Sequence, residues 1–145
     1  MSEKLEHAES VFAADFNCSQ AVFAAFAEDY DIDEETALKI ASAFGGGMRC
    51  GEVCGAATGA LMVIGAARGH YIPGDAGAKA DVGARGKQFM AEFRGRNGCL
   101  LCRDLLGIDP STPEGHEVFV ANPEYKEKCF GFVRGAVEIL EELGY

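Results

Sequence analysis

The stretch MRCGEVCGAATGALMVIGAARG, residues 48–69, is alanine-rich and nearly free of charge. A helix that is apolar all round belongs in an interior, so this segment reads as a buried central helix. Gly51, Gly55 and Gly59 recur every four residues along it. That repeat strips side chains from one stripe and predicts close approach by another helix, a partner subunit or a flat cofactor. Its longest apolar run, Val53 to Ala67, falls short of the roughly 20 residues that span a bilayer. The N-terminal MSEKLEHAES has no apolar signal core. The expectation is therefore a cytoplasmic protein.

Upstream, Leu5, Ala8, Val11 and Phe12 fall at helical spacing over residues 4–14 and predict a first helix. Asn17-Cys-Ser-Gln20 has the form of a reciprocal capping box, which puts Cys18 in the first turn of a second helix running to about Asp29. Asp33-Glu34-Glu35 opens a third helix, ended by the glycines at 45–47. Downstream, HYIPGDAGA is a break rich in proline and glycine. Residues 79–94 then carry Val82, Phe89, Met90 and Phe93 on an amphipathic helix. Asn97-Gly98 is expected to start a short helix holding Cys99 and Cys102, closed by Gly107 and followed by a proline-containing loop. Asn122-Pro123 opens the last helix, whose inward seam is Cys129, Val133, Ala136, Val137 and Leu140. No stretch alternates as a strand and no internal repeat is visible. The expected fold is all-α: one domain over residues 1–145, a bundle of about five to six helices around the glycine/alanine-rich central one.

A chain of 145 residues with 48% hydrophobic and 25% charged residues can bury a continuous core without covalent staples. With 13 basic and 23 acidic residues the net charge is −10, which disfavours nucleic acid and anionic membranes as partners. There is no tryptophan, and the three histidines, His7, His70 and His116, show no ligand spacing and read as surface residues. What remains for chemistry is sulfur: Cys18, Cys50, Cys54, Cys99, Cys102 and Cys129. In a reducing compartment such a set points to metal binding, redox exchange or buried packing rather than permanent disulfides.

A thiol is a nucleophile or ligand only as thiolate, and a helix N-terminus favours that anion. Cys18 and Cys99, and Cys54 if its helix starts near Gly51, are expected to be acidified in this way. Arg49, Arg94, Arg96 and Arg103 lie near cysteines in sequence and read either as a further acidifying influence or as a solvated face. Cys99 and Cys102 have the C-x-x-C spacing of dithiol exchange, which also suits zinc or an iron–sulfur cluster. Cys50 and Cys54 make a two-ligand clip if both are helical. Cys129, in an apolar seam, equally fits inert packing. Glu52 reads as a first-turn dipole partner rather than a catalytic base. Cys102 is followed by Arg-Asp-Leu-Leu, without the histidine that C-x-x-C helical peroxidases add, and that class is set aside.

Taken together, NCSQAV around Cys18, the FGGGMRCGEVCGAATGALMVIG segment, CRDLLG and a lone cysteine in the last helix resemble the C_GCAxxG_C_C family of small redox-active proteins. Its central motif stands here as Cys54-Gly55-Ala56-Ala57-Thr58-Gly59. The resemblance carries the four family cysteines onto Cys18, Cys54, Cys102 and Cys129, leaving Cys50 and Cys99 as extras. It implies a thiol-based redox role, with family members tending to be encoded near transporter genes.

The expectation is that these four thiols converge from separate helices into one catalytic site. A thiolate from Cys18 or Cys54 would attack an oxidised partner, a redox protein or a small thiol or disulfide, and a neighbour would resolve it, as in a thiol–disulfide oxidoreductase. In an alternative reading the same four residues hold zinc or an iron–sulfur cluster, with Gly55, Gly59 and Cys99 against the bound group. A third reading makes the chain a non-catalytic partner of a membrane transporter. The glycine stripe also makes a homodimer an expected assembly.

Overall fold

Asn17 accepts from the Gln20 backbone N–H at 2.9 Å while the Gln20 side chain accepts from the Asn17 N–H at 2.9 Å. This reciprocal cap starts the helix around which the others pack. In the computed structural model, which describes residues 2–145, eight α-helices follow in order: α1 Glu3–Ala13, α2 Cys18–Ala27, α3 Glu34–Ala41, α4 Gly55–Arg68, α5 Ala76–Asn97, α6 Cys102–Leu106, α7 Pro113–Ala121 and α8 Pro123–Glu142. Short 3₁₀ turns extend α2 over Glu28–Tyr30 and α3 over Ser42–Phe44. Among the described residues the extended pairing is a single antiparallel bridge, Val53 to Leu101. No helix among the described residues is long and apolar enough to cross a membrane.

The all-α expectation holds, with corrections to helix number and to the centre. The described residues form eight α-helices rather than five to six, and the most enclosed is α2, in which every residue but Cys18 is buried. The stretch at 48–69 is not one helix. It enters α4 only at Gly55, after a sharply turned segment and an extended passage through Val53. Asn97-Gly98 ends α5 instead of starting a helix: Gly98 takes a left-handed conformation (φ 90°) as its C-cap. Cys99 therefore lies in a non-helical link, and the short helix begins at Cys102 and closes, as expected, at Gly107. The proline-containing loop hides α7, where Thr112 caps the Gly115 N–H at 3.0 Å and Pro113 takes the first helical position.

Burial organises the rest. Phe26, Phe89, Phe93, Ile64, Leu140, Val22, Val63, Val133 and Val137 are the largest side chains wholly withdrawn from solvent. They come from α2, α4, α5 and α8 and form one continuous core. Against it, α2 packs most extensively on α4, and also on α1, α3 and α8. The glycine stripe makes the α2–α4 contact possible. A Cβ at Gly59 would lie 2.6 Å from the Ser19 carbonyl oxygen, and one at Gly55 would lie 3.1 Å from the Ser19 nitrogen. Of the three occupants expected for the stripe, it takes a helix. Gly51 is not part of it: it adopts φ 70° outside α4, and a Cβ there would meet the Asp109 carboxylate.

A cysteine-lined cavity as the candidate active site

Cys18 owes its place to the first turn of α2. Asn17 Nδ2 donates to the Ser42 carbonyl at 3.0 Å, Gln20 Nε2 donates to the Leu38 carbonyl at 3.0 Å, and the buried Ser19 hydroxyl lies 2.9 Å from the Ala41 carbonyl. These bonds fix the start of α2 against the end of α3. Cys54 and Cys102 are set by the bridge. The Cys54 N–H donates to the Leu100 carbonyl at 2.8 Å and the Cys102 N–H to the Glu52 carbonyl at 2.6 Å. The two cysteines flank Val53–Leu101 diagonally, Cys54 as N-cap of α4 and Cys102 as first residue of α6. Cys129 comes from the buried face of α8.

All four line one cavity of about 920 Å³. Cys54, Cys102 and Cys129 are only 4%, 8% and 8% exposed, so their sulfurs are accessible from the cavity or not at all. Aromatic rings of Phe12, Phe119 and Phe130 form part of the wall, with Arg49, His116 and Lys126 among its polar groups. All six cysteines are free thiols. Cys50 and Cys99 do not line the cavity. Cys50 is exposed in a non-helical conformation (φ −140°), which removes the expected helical clip with Cys54. Cys99 lies in the link between α5 and α6, at neither helix start.

The electrostatics reverse the expected ranking of the thiols. Burial pushes Cys54 up to about 12, although the N–H groups of Ala56 and Ala57 at the start of α4 pull the other way. Burial likewise pushes Cys102 up to about 12. At these two helix starts desolvation outweighs the dipole. Interaction with the Cys129 thiol, together with burial, raises Cys18 well above the ordinary thiol range. The same interaction lowers Cys129, helped by the Lys126 ammonium one turn away on α8. The residue read as a candidate for inert packing is the one whose thiolate is favoured.

Several neighbours were not legible in the sequence. His116 lies on α7, read as loop, and reaches the cavity wall, whereas His7 pairs with Glu34 at 2.6 Å. Glu52 lies outside any helix and is ion-paired to Arg103 at 2.9 Å, so neither serves the thiols as a first-turn charge. Arg96 is occupied by the Gly135 carbonyl and Glu138. Gly46, Gly47, Met48 and Arg49 all have left-handed φ, of 64°, 63°, 59° and 62°. Such a run is costly for the two residues that carry a Cβ. It brings the chain tightly round the bridge: a Cβ at Gly47 would lie 2.8 Å from that of Cys102. Arg49, at its end, is aimed along the cavity wall, with Nη2 donating to the Ser42 carbonyl at 2.9 Å.

The four cavity thiols are the four of the motif, and a protein-family model described as "Putative redox-active protein (C_GCAxxG_C_C)" matches residues 16–143. The chain belongs to the C_GCAxxG_C_C family. No curated protein and no solved structure matches it. In this family member Cys54 to Gly59 is the join of the bridge to α4, with Gly55 and Gly59 spent on contact with α2 rather than on a flat cofactor. Among the described residues no three His, Cys, Asp or Glu side chains are grouped as metal ligands. The zinc and iron–sulfur readings of Cys18, Cys54, Cys102 and Cys129 thus have no geometric support.

Proposed function

We propose that the protein carries out thiol–disulfide exchange, with Cys129 as attacking thiolate and Cys18 as resolving thiol. The convergence of these two thiols, each shifting the other's ionisation, on a cavity shared with Cys54 and Cys102 carries the reading. Thiolate character and access govern such exchange. Cys129 combines a lowered pKa with a position on the cavity wall. Cys54 and Cys102, pushed up to about 12, keep their protons at neutral pH and are not the attacking groups.

The Cys129 thiolate attacks one sulfur of a disulfide R–S–S–R, the S–S bond breaks, and RS⁻ leaves a Cys129–S–S–R mixed disulfide. RS⁻ takes the proton of Cys18. The Cys18 thiolate then attacks the Cys129 sulfur, forming the Cys18–Cys129 disulfide and expelling the second RS⁻, which solvent protonates. Two protein thiols are oxidised, and the substrate disulfide is reduced by two electrons to two thiols. The reverse sequence oxidises a dithiol partner.

Oxidation of the reduced protein with hydroxyethyl disulfide, alkylation of the remaining thiols and peptide mass spectrometry tests the assignment. The expected product is a Cys18–Cys129 linked peptide, with Cys18 left alkylated in Cys129→Ser. Linkage confined to Cys50 or Cys99 would contradict the reading.

A further inference from the structure

The substrate class follows from where the sulfurs sit, given the exchange reading above. A disulfide within a folded protein carries two backbones whose Cα atoms are about 4.4–6.8 Å apart, so it needs an attacking sulfur that projects from a surface. Here the attacking sulfur belongs to a residue only 8% exposed, on the wall of a cavity of about 920 Å³. That volume lies within the range of small-molecule sites, roughly 300–1,000 Å³. The wall gives a molecule that enters a mainly apolar surface with a few polar groups.

Charge on that wall is not uniform. Lys126 and Glu127 border it from α8, and Asp15 borders it from the end of α1. On the side of Arg49 and His116 the cavity shares its boundary with a second cleft of about 370 Å³. The ionisable side chains lining this cleft are Arg49 and His116 alone, and its remaining wall is glycine, proline, Ser111 and Thr112. Neither Arg49 nor His116 is ion-paired among the described residues, in contrast to Arg103 and Arg134. The Ser111 and Thr112 hydroxyls donate to the carboxylate and the carbonyl of Asp109, so the guanidinium of Arg49 and the imidazole of His116 are the groups that offer a subsite for an anion such as a carboxylate.

We propose that the substrate is a low-molecular-weight disulfide bearing carboxylates, its sulfur at Cys129 and a carboxylate in the cleft of Arg49 and His116. A net charge of −10 opposes the approach of any anion from a distance. An anion preference, if seen, therefore comes from the cavity itself.

The experiment mixes the reduced protein with glutathione disulfide (anionic), hydroxyethyl disulfide (neutral), cystamine (cationic) and oxidised, folded thioredoxin. Formation of the Cys18–Cys129 disulfide is timed by quenched mass spectrometry. Each rate is divided by that of the same disulfide with the urea-unfolded chain, which removes intrinsic reactivity. The expected result is a normalised rate for glutathione disulfide about tenfold above that for cystamine. The folded-protein disulfide should be slower than all three small ones. Arg49→Gln should bring the ratio of glutathione disulfide to cystamine close to one.

Equal normalised rates for the anion and the cation, or a faster cation, would overturn the carboxylate assignment. Thioredoxin reacting as fast as the small disulfides would overturn the substrate class. Either result leaves the exchange reading standing. Failure of all four oxidants to join Cys18 to Cys129 would overturn that reading itself.

Discussion

The four cavity thiols differ more in environment than in chemistry. Cys18 and Cys129 come from different helices, and their interaction raises the first thiol and lowers the second. Cys18 is the larger influence on Cys129 and the Lys126 ammonium the smaller, so the two are separable by mutation. Cys18→Ala should raise the pH at which Cys129 is half-alkylated by iodoacetamide, and Lys126→Gln should raise it less. Peptide-resolved mass spectrometry keeps the exposed Cys50 out of the readout. An unmoved Cys129 profile in Cys18→Ala would mean that the inter-helix sulfur interaction does not set this thiol's acidity.

At the scale of elements, the join of α2 to α4 decides where the thiols sit. Gly59 lies against the backbone of Ser19, the residue after Cys18, and a backbone carbonyl cannot rotate away as a flexible side chain can. Gly59→Ala should cost about 1–3 kcal/mol in urea denaturation and displace the start of α2. Gly65→Ala, on the same helix with open space around its Cβ, should stabilise by about 0.5–1 kcal/mol and serves as the control. Equal losses from the two substitutions would refute the close-approach account of the stripe. How much of this was readable differs by residue. The caps of α2 and α3 were written locally, in Asn17-Gln20 and Asp33, and appeared where expected. The four cysteines that line the cavity are those of the family motif. The start of α4 was not, because Gly51 and Gly55 fit a helical repeat while the left-handed run at 46–49 and the pairing of Val53 with Leu101 depend on contacts remote in sequence. Helix α7 was missed because Pro113 signals a loop as readily as a first helical position, and Gly115 is its one buried residue. The acidity order was misread for a physical reason: a helix start is visible in sequence, but the desolvation that overrides it is set by the whole fold.

For the whole molecule, the buried thiols make stability depend on alkaline pH. Cys54 holds its proton up to about 12 in the folded protein, whereas an unfolded chain ionises it near the ordinary thiol value of about 8.5. Between those values the folded state binds more protons than the unfolded one, so folding stability falls as pH rises. The expected slope from this one thiol approaches about 1.4 kcal/mol per pH unit once the unfolded form is fully ionised. Cys102 adds a fall of the same sign, since burial raises it in the same direction. Cys129 acts oppositely: its folded pKa is lowered, so its contribution is present above the unfolded value and fades as pH drops through the folded one. Tyr30, also raised, contributes to the alkaline fall and has to be held constant by comparing variants in one background. Reduced wild type and Cys54→Ala, unfolded in urea from pH 8 to pH 10.5, should therefore differ in slope as well as in absolute stability. The variant should be the less steep of the two. Parallel curves would show that Cys54 is hydrated or already ionised in the folded state.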